Sequence, residues 1–359
     1  MKVLVVANKG SNHAKKCADG LVGLGHEIVF VSPNDPIDKS VELDNRIKLI
    51  TLKYGGKKGY IFNFIQLRKI YKKIKPDVVN VHYATGCGLL ALLSRLKPVV
   101  LNCYGSDIFE FPRKSFFHKF LVRLILKNTK VCASTSYAMA DEIRKITGNA
   151  NQYIAMTPFG VNTEVFKPLD NKEHNKRPVI GIVKSFLPVY DIPLLIEGFS
   201  LTHKKMDVKP VLKIYGDGPL KDQLHDLAKE TGVGEDIHFM GRIPNNYVPN
   251  ALNGLDIFVN CSKQESFGVN VLEAMACGLP VIVTDCVGPR EIIEDGISGF
   301  ILKDRNPETL ANVMIYILND EKEQRKMGVL GRKRVLEHYD WETNLLELEN
   351  VLKNNCCSR

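Results

Sequence analysis

The chain has 359 residues, 45% of them hydrophobic and 25% charged, which is typical of a globular protein with more than one domain. No stretch reaches the roughly 18 uncharged apolar residues of a membrane-spanning helix, and the start of the chain lacks a signal peptide's apolar core. Nine cysteines without metal-ligand spacing predict reduced thiols, no metal site and a cytoplasmic location. Residues 1–170 hold 26 Lys and Arg against 13 Asp and Glu, so we expect this half to meet an anionic partner.

Short apolar runs alternate with amphipathic segments through the first half of the chain. Strands are predicted at residues 2–8, 26–32, 46–52, 77–83, 98–104 and 130–135, and helices around 13–23, 62–74, 115–128 and 137–147. Strands that are apolar on both faces and separated by helices indicate a parallel sheet covered on both sides. The loop after the first strand has Gly10 but no G-x-G-x-x-G pattern, which argues against a dinucleotide cofactor in this half.

A segment rich in Pro, Asn and charge at 157–178 predicts a linker, after which the alternation restarts. Strands are predicted at 179–185, 211–217, 236–242, 256–262, 280–285 and 299–302, and residues from 307 onward are predicted to be helical. We therefore predict two doubly wound α/β domains, 1–167 and 168–340, that face each other across a cleft. A helix at 341–359 is expected to pack back on the first domain.

The stretch "ESFGVNVLEAMACGLPVIVTD" (265–285) places two glutamates eight positions apart. Glu265 follows a predicted strand, and Glu273 lies in the second turn of a helix that begins near Val269. The free N–H groups near Gly268, Val269 and Asn270, with the positive end of the helix dipole, form an anion site. A diphosphate there would leave Glu273 to accept hydrogen bonds from vicinal hydroxyls and Glu265 to contact a sugar. A glutamate near a helix N-terminus is also an ordinary surface residue, and spacing alone does not decide between the two.

The ordered series of motifs resembles family 4 retaining glycosyltransferases, which have the GT-B fold. The resemblance is carried by E-x7-E with "EAMACGLPVIVTD", by "GPREIIEDGISGF", and by the upstream "IYGDGPLKDQL" and "HFMGRI". It covers nearly the whole chain and is strongest from 179 to 300. In the first half, "VHYATGCGLLA" and "LNCYGSDIFEFPRKS" are similar to bacterial members that build surface polysaccharides, such as capsule, O-antigen or exopolysaccharide.

The resemblance implies a hexosyltransferase that moves a sugar from a nucleotide-diphosphate sugar, with UDP favoured, to a glycan or lipid-diphosphate-linked acceptor. It implies no cofactor and no metal, with the nucleotide sugar as co-substrate. Catalytic roles are expected for Glu265, Lys184 and His82, and acceptor contacts for Tyr104 and Asp107. The residues expected to bind the donor are Gly10, Lys184, Gly216, Gly218, Arg242, Ile243, Glu265, Phe267, Gly268, Val269, Asn270 and Glu273.

The chain departs from the family at two positions. Members usually offer the diphosphate two basic residues five positions apart; here Lys184 is present but the partner position is Val189. Because a charge-assisted hydrogen bond is worth roughly 1.5–3 kcal/mol, the loss is expected to weaken binding about ten- to a hundredfold unless Lys205 or Lys303 substitutes. Tyr104 stands where many members have histidine. His82, at the end of its strand, is expected to point to the cleft, although a lone histidine is more often structural.

Two segments of the basic half, 61–75 and 113–130, pair apolar faces with clustered Lys and Arg. Each is compatible with a core-facing stripe and a solvated basic back. Together, with Phe116, Phe117 and Phe120 adjacent on one helix, they predict docking on anionic lipid at the inner face of the cell membrane. Nucleic acid is not expected as a partner, since no binding module is recognisable.

Three other functions fit parts of the pattern. A sugar-nucleotide epimerase on the same fold would bind the same donor but would not need the basic helices or this E-x7-E motif. A partner subunit without turnover would explain Val189. A glycoside hydrolase with Glu265 and Glu273 as its acid–base pair fits poorly, because the two residues occupy a loop and a helix and so have different tasks.

Overall fold

The computed structural model describes residues 1–34, 42–169 and 175–356. The chain divides into two compact units: residues 1–158 together with those from Glu342 onward, and residues 159–341. The change of unit falls at Pro158, ahead of the predicted boundary at residue 167. The reason is that residues from Phe159 onward pack within the second unit: Phe159 stacks edge-on against Phe267 with ring centroids 5.2 Å apart, and the N–H of Val161 donates to Tyr339 O at 2.9 Å. Part of the predicted linker, 170–174, lies outside the described residues.

The first unit is built on a seven-stranded parallel sheet of order β3-β2-β1-β4-β5-β6-β7. Its strands are β1 (Lys2–Val6), β2 (Glu27–Ser32), β3 (Lys48–Thr51), β4 (Val78–His82), β5 (Val99–Cys103), β6 (Val131–Ser134) and β7 (Ile154–Met156). Its helices are α1 (Asn12–Gly23), α2 (Gly56–Phe62), α3 (Phe64–Ile74), α4 (Gly86–Leu93), α5 (Ser106–Phe109), α6 (Phe116–Lys127) and α7 (Tyr137–Thr147). Every residue of β4 and β5 is buried, as expected for central strands covered on both faces.

The second unit has a six-stranded parallel sheet of order β10-β9-β8-β11-β12-β13. Its strands are β8 (Val179–Val183), β9 (Val211–Tyr215), β10 (Ile237–Gly241), β11 (Ile257–Asn260), β12 (Val281–Thr284) and β13 (Phe300–Leu302). Its helices are α8 (Ile192–Lys205), α9 (Lys221–Glu230), α10 (Val248–Asn253), α11 (Val269–Ala276), α12 (Val287–Ile292), α13 (Pro307–Asn319) and α14 (Glu321–His338). The predicted fold class, two doubly wound α/β units of the GT-B type, is confirmed.

The last helix, α15 (Trp341–Asn354), belongs almost entirely to the first unit. His26 Nε2 lies 2.5 Å from Glu349 Oε1, with both side chains less than a tenth exposed, and Asn344 Nδ2 donates to Pro158 O at 3.3 Å. Cys356 follows at the end of the described residues, beside Met1. The chain therefore crosses into the second unit after Pro158 and returns to the first at Glu342.

Each sheet has one place where the strand order reverses direction. In the first unit it lies between β1 and β4, and in the second between β8 and β11. The loops that leave two such neighbouring strands run to opposite sides, and the crevice between them at the carboxyl ends is where doubly wound sheets bind ligands. The fold thus selects one crevice in each unit before any side chain is considered.

Within the described residues, no helix combines the length and the apolar character needed to cross a membrane.

Candidate functional site

The crevice of the second unit is bordered by two loops, 184–191 after β8 and 261–268 after β11. Each loop leads directly into a helix, α8 and α11 respectively. Because β8 and β11 are hydrogen-bonded neighbours and run parallel, both helix N-termini lie at the same edge of the sheet. Unsatisfied amides and the positive end of the helix dipole at such an edge favour an anionic ligand.

The loop after β11 is anchored at its start by a dense set of hydrogen bonds. Asn260 Oδ1 accepts from the Ser262 N–H at 3.1 Å, and Ser262 O accepts from Thr284 Oγ1 at 2.5 Å. The Arg305 guanidinium donates to Cys261 O at 2.7 Å and to Ser262 O at 3.2 Å. These bonds fix where the chain leaves the strand, so the residues that follow are presented from a rigid base.

Gly268 is the N-terminal cap of α11 and has a left-handed backbone, with φ of 100°. A residue with a side chain is strained at that φ, so glycine allows the sharp entry into the helix and leaves the first-turn amides open to a ligand. Glu265 precedes this turn by three residues, and Gly288 N–H donates to its carbonyl at 3.0 Å. The predicted arrangement, a loop glutamate followed by a glycine and a helix N-terminus, is present.

Lys184 and Glu265 form a largely buried ion pair across the crevice. Lys184 Nζ lies 2.6 Å from Glu265 Oε2, and the two side chains are 13% and 16% exposed. The same ammonium lies 4.2 Å from the centre of the Tyr190 ring and 3.5 Å from Asn270 Oδ1. A cation and a carboxylate, predicted from separate motifs, therefore meet at the N-terminus of α11.

A cavity of about 480 Å³ continues from Lys184 along the edge of the sheet and is lined by Gly216, Arg242 and Ile243 among others. Gly216 has φ of 154°, and a Cβ placed there would lie 1.9 Å from Lys184 O. Only glycine fits so close to the neighbouring strand end. Gly218 lies in the same turn, packed against the backbone of Phe186.

Two further predicted donor residues have different surroundings. Glu273 is half-buried in the second turn of α11, five residues beyond its cap. The side chain of Phe267 is 5% exposed and packs against Phe159 and Tyr339, with ring centroids 5.2 and 6.0 Å away. The Phe267 side chain is therefore part of the hydrophobic core, and only the backbone of this residue is available for the predicted donor contact.

The crevice of the first unit collects the predicted residues of that half. Gly10 lies exposed on the loop after β1, and its N–H donates to Asn8 Oδ1 at 2.9 Å. His82 ends β4 and Tyr104 follows β5; the His82 Nδ1 and the Tyr104 hydroxyl are hydrogen-bonded. His82 is 2% exposed, and burial lowers its pKa to about 3, with a smaller contribution from His13. The His82 imidazole is therefore neutral at pH 7.

Asp107, predicted to contact the acceptor, has no exposed surface. Its carboxylate accepts the N–H groups of Ala84 at 2.7 Å, Tyr104 at 3.0 Å and Gly105 at 2.9 Å. Burial raises its pKa even so. The residue ties the loops after β4 and β5 together, so in this structure it positions Tyr104 and presents no surface of its own.

One residue of this crevice escaped sequence reasoning. His13, in the first turn of α1, has its ring centroid 5.6 Å from that of Tyr104, and burial together with the charge of Lys16 lowers its pKa to about 4. The sequence shows it as a lone histidine in an amphipathic helix. Only the place of that helix, directly after β1 at the strand-order reversal, marks it as a site residue.

Comparisons with known proteins agree with this geometry. A family model described as "Glycosyl transferases group 1" matches residues 166–334, and one described as "Glycosyl transferase 4-like" matches residues 2–136. Both models describe glycosyl transferases, so the chain is a glycosyl transferase whose group 1 match lies in the second unit and whose 4-like match lies in the first. The two matched ranges contain all the predicted site residues, from Gly10 to Glu273.

Three similar proteins place this glycosyl transferase among its relatives. It is 25% identical to the N-acetyl-alpha-D-glucosaminyl L-malate synthase of Bacillus anthracis over 80% of this chain and 77% of that one. It is also 25% identical to the poly(ribitol-phosphate) alpha-N-acetylglucosaminyltransferase of Staphylococcus aureus, over 57% of this chain and 41% of that one. A structure of Anabaena HepE in complex with UDP and glucose superposes with a TM-score of 0.80 at 17% identity, covering 99% of this chain and 100% of that one. By their names, the first of these relatives joins N-acetylglucosamine to L-malate and the second transfers it to the polymer poly(ribitol-phosphate).

Lys205 and Lys303 were the two candidates for replacing the missing basic residue at position 189. The structure shows that both lie away from the loops bordering the crevice. Lys205, at the end of α8, pairs with Glu308 at 2.5 Å, and that end of the helix points away from the crevice. Lys303 follows β13, two strands from β11, and lies 4.0 Å from Asp295. Neither lies on the two loops that border the crevice of this glycosyl transferase.

Proposed function

We propose that the protein is a retaining glycosyltransferase that moves a sugar from a UDP-sugar to a glycan or lipid-linked glycan acceptor in cell-surface polysaccharide synthesis. The observation that carries the proposal is the Lys184–Glu265 pair at the N-terminus of α11. A cation and helix amides suit a diphosphate, and a carboxylate beside them suits the sugar that the diphosphate carries.

The donor is proposed to lie along the crevice of the second unit. Its diphosphate contacts Lys184 and the amides of residues 268–270, and Glu273 accepts hydrogen bonds from the ribose hydroxyls. The base enters the cavity lined by Gly216, Arg242 and Ile243, whose volume of about 480 Å³ suits a nucleoside. The UDP and glucose bound in the similarly folded Anabaena protein support UDP as the nucleotide.

The chemistry follows from where charge develops. As the bond between the anomeric carbon and the diphosphate oxygen breaks, its electron pair goes to the diphosphate and positive charge builds on the sugar. Lys184 and the helix amides, already fixed in place, stabilise the leaving group. When the diphosphate takes over Lys184, Glu265 is released to face the oxocarbenium-like sugar. The acceptor hydroxyl then attacks from the same face and gives its proton to the departing phosphate, which retains configuration.

The proposal includes independence from metal ions, since Lys184 and the helix N-terminus supply positive charge at the diphosphate. We expect transfer in the presence of EDTA to proceed within about twofold of the rate with added Mg²⁺ or Mn²⁺, as measured by UDP release. A loss of activity in EDTA that Mg²⁺ or Mn²⁺ restores would contradict this part of the proposal.

The acceptor is proposed to meet the first unit near Tyr104, with His82 as a hydrogen-bonding residue behind it. The relative that glycosylates poly(ribitol-phosphate) supports a polymeric, anionic acceptor. The basic helices of the first unit support docking on an anionic membrane surface, where a lipid-linked acceptor would lie.

The direct test is transfer from UDP-glucose, UDP-galactose and UDP-N-acetylglucosamine to an alkyl glycoside acceptor, followed by UDP release and by NMR of the product's anomeric proton. We expect one donor to give a product whose anomeric configuration matches that of the donor. Lys184→Ala is expected to reduce kcat/KM about a hundredfold, and Lys229→Ala, an exposed lysine on α9, is the control. Inverted configuration, or an isomerised donor without transfer, would overturn the proposal.

A further inference from the structure

The crevice as described so far has too little positive charge for a doubly anionic ligand. Lys184 is already neutralised by Glu265 at 2.6 Å, and residue 189, five positions on, is valine. A nucleoside diphosphate sugar brings two negative phosphates into this partly buried place, where charge without a partner is costly. We propose that Lys263 supplies the second cation for the donor diphosphate. This inference rests on the proposed function.

Lys263 lies on the loop after β11 but touches the loop after β8. Its backbone N–H donates to Val189 O at 2.7 Å, so the two residues are direct neighbours in space. It precedes Glu265 by two residues and the helix cap Gly268 by five. A side chain from residue 263 therefore starts beside the backbone from which a basic residue at 189 would start, and its flexible stem allows it to turn toward a ligand.

The ion pairs around Lys263 leave its charge available. Asp191 is the carboxylate nearest to it, with Lys263 Nζ at 3.4 Å from Oδ1 and the lysine side chain 54% exposed. The other oxygen of Asp191 accepts from Arg305, which is held in addition by Cys261 O at 2.7 Å and Ser262 O at 3.2 Å. One carboxylate thus faces two cations, and the arginine is the one fixed in place. The pair with Lys263 is long and its lysine is half-exposed, and Arg305 stays beside Asp191 when Lys263 moves to a phosphate, so little is lost.

Two arginines near this edge of the sheet, Arg305 and Arg242, have other places in the crevice. Arg305 holds the start of the loop after β11, as its two backbone contacts show. Arg242 lines the far part of the cavity, beyond Gly216, where the base is proposed to bind. Among the described residues of the two bordering loops, 184–191 and 261–268, Lys184 and Lys263 are the basic ones.

The test measures UDP affinity by isothermal titration at two salt concentrations for the wild type and five variants. Lys263→Ala is expected to weaken UDP binding about tenfold and to flatten the salt dependence, because one phosphate contact is lost. The double variant Val189→Lys with Lys263→Ala is expected to regain most of the affinity, since the backbones of residues 189 and 263 are hydrogen-bonded neighbours and a lysine at either one extends from the same part of the crevice. Lys229→Ala, an exposed lysine of the same unit, is expected to bind as the wild type does.

The outcomes separate this inference from the function on which it rests. If Lys184→Ala weakens UDP binding but Lys263→Ala does not, the assignment of Lys263 is wrong and the donor site stands. If the wild type binds no nucleoside diphosphate, both fail. Lys263→Met, which keeps most of the stem, guards against a loss through packing: it is expected to behave as Lys263→Ala does, and wild-type affinity in Lys263→Met would overturn the charge role.

Discussion

Single residues decide the shape of the donor crevice, and Gly216 shows this most clearly. Its positive φ and its approach to Lys184 O leave no room for a side chain, since a Cβ would lie 1.9 Å from that oxygen. Gly232, in the turn after α9, also has a positive φ of 74°, but a Cβ placed there would meet nothing within 4 Å. An alanine at Gly232 would therefore suffer only backbone strain, whereas an alanine at Gly216 would also clash with Lys184 O.

Gly216→Ala is expected to reduce UDP affinity at least tenfold and to destabilise the protein by about 2–4 kcal/mol, because the backbone that carries Lys184 must shift. Gly232→Ala is expected to cost only about 1 kcal/mol, the strain of the left-handed conformation, with UDP affinity unchanged. Denaturant unfolding and isothermal titration of both variants check this. Equal effects of the two substitutions would show that crowding at Gly216 does not shape the site.

The buried histidine of the first unit gives a pH prediction. The pKa of His82 is lowered to about 3 by burial, whereas the unfolded chain takes up this proton near pH 6.5. Between those values the unfolded state binds more protons, so the free energy of unfolding falls as the pH falls from about 6.5 toward 3. His13, whose pKa is lowered to about 4, acts in the same direction, and Asp107, whose pKa is raised, acts in the opposite one.

His82→Gln removes this titration and leaves His13 and Asp107 in place. The wild type is expected to lose about 1 kcal/mol more than the variant between pH 7.5 and 5.5, because only its unfolded state gains the proton at residue 82. Urea unfolding at the two pH values measures the difference. A pH dependence identical in the two proteins would mean that His82 titrates normally in the folded state.

Residue types and positions were predictable where a motif dictated them, and side-chain surroundings were not. Glu265, Lys184 and the glycine turns follow from sequence patterns that place them at strand ends. The burial of Asp107 and of the Phe267 ring does not, because both lie in loops without periodicity, where the sequence does not show which way a side chain points. Lys263 escaped for the same reason: its contact with Val189 joins loops more than seventy residues apart.

At the scale of elements, α6 has the most unusual surface. Phe116, Phe117 and Phe120 are 78%, 80% and 57% exposed on its first two turns, with Lys119 and Arg123 on the same helix. The segment α2–α3 repeats the pattern, with Phe62 and Ile65 more than half exposed. Large aromatic side chains beside cations suit the boundary between lipid headgroups and acyl chains.

Replacing Phe116, Phe117 and Phe120 together by serine is expected to weaken binding to vesicles of phosphatidylcholine and phosphatidylglycerol at least tenfold, since each inserted ring contributes about 1.5–3 kcal/mol. Tyr153→Ser removes an aromatic side chain of the same unit that is 70% exposed but is not part of α6, and it is expected to bind as the wild type does. Vesicle sedimentation at low and high salt measures both. Undiminished binding of the triple variant would show that α6 is not the docking surface.

Secondary structure was predictable where the apolar period was sustained. The strands of both sheets and the long helices appear close to their predicted places because buried parallel strands are continuous apolar runs. The sequence pattern did not indicate β7, which has three residues, or α2, a short helix rich in lysine and glycine. In such short segments tertiary contacts outweigh local preference.

At the scale of the whole molecule, two sheets with reversed strand order give the protein two crevices with separate chemistry. The crevice of the second unit gathers a cation, a carboxylate and a helix N-terminus, whereas that of the first gathers neutral histidines and a tyrosine. The alternation of strands and helices along the chain predicted both sheets. The change of unit at Pro158 was harder to predict, because it depends on Phe159 and Val161 packing with distant residues.

The proposed donor site is tested most directly by the binding of nucleoside diphosphates to the crevice of the second unit. Thermal unfolding would be followed with UDP, GDP, ADP and TDP, for the wild type, Glu273→Ala and Glu230→Ala, the last an exposed glutamate of the same unit. UDP is expected to raise the melting temperature of the wild type and of Glu230→Ala, and Glu273→Ala is expected to lose most of that shift. If no nucleotide raises it, or if Glu273→Ala responds as the wild type does, the donor is not held at the N-terminus of α11.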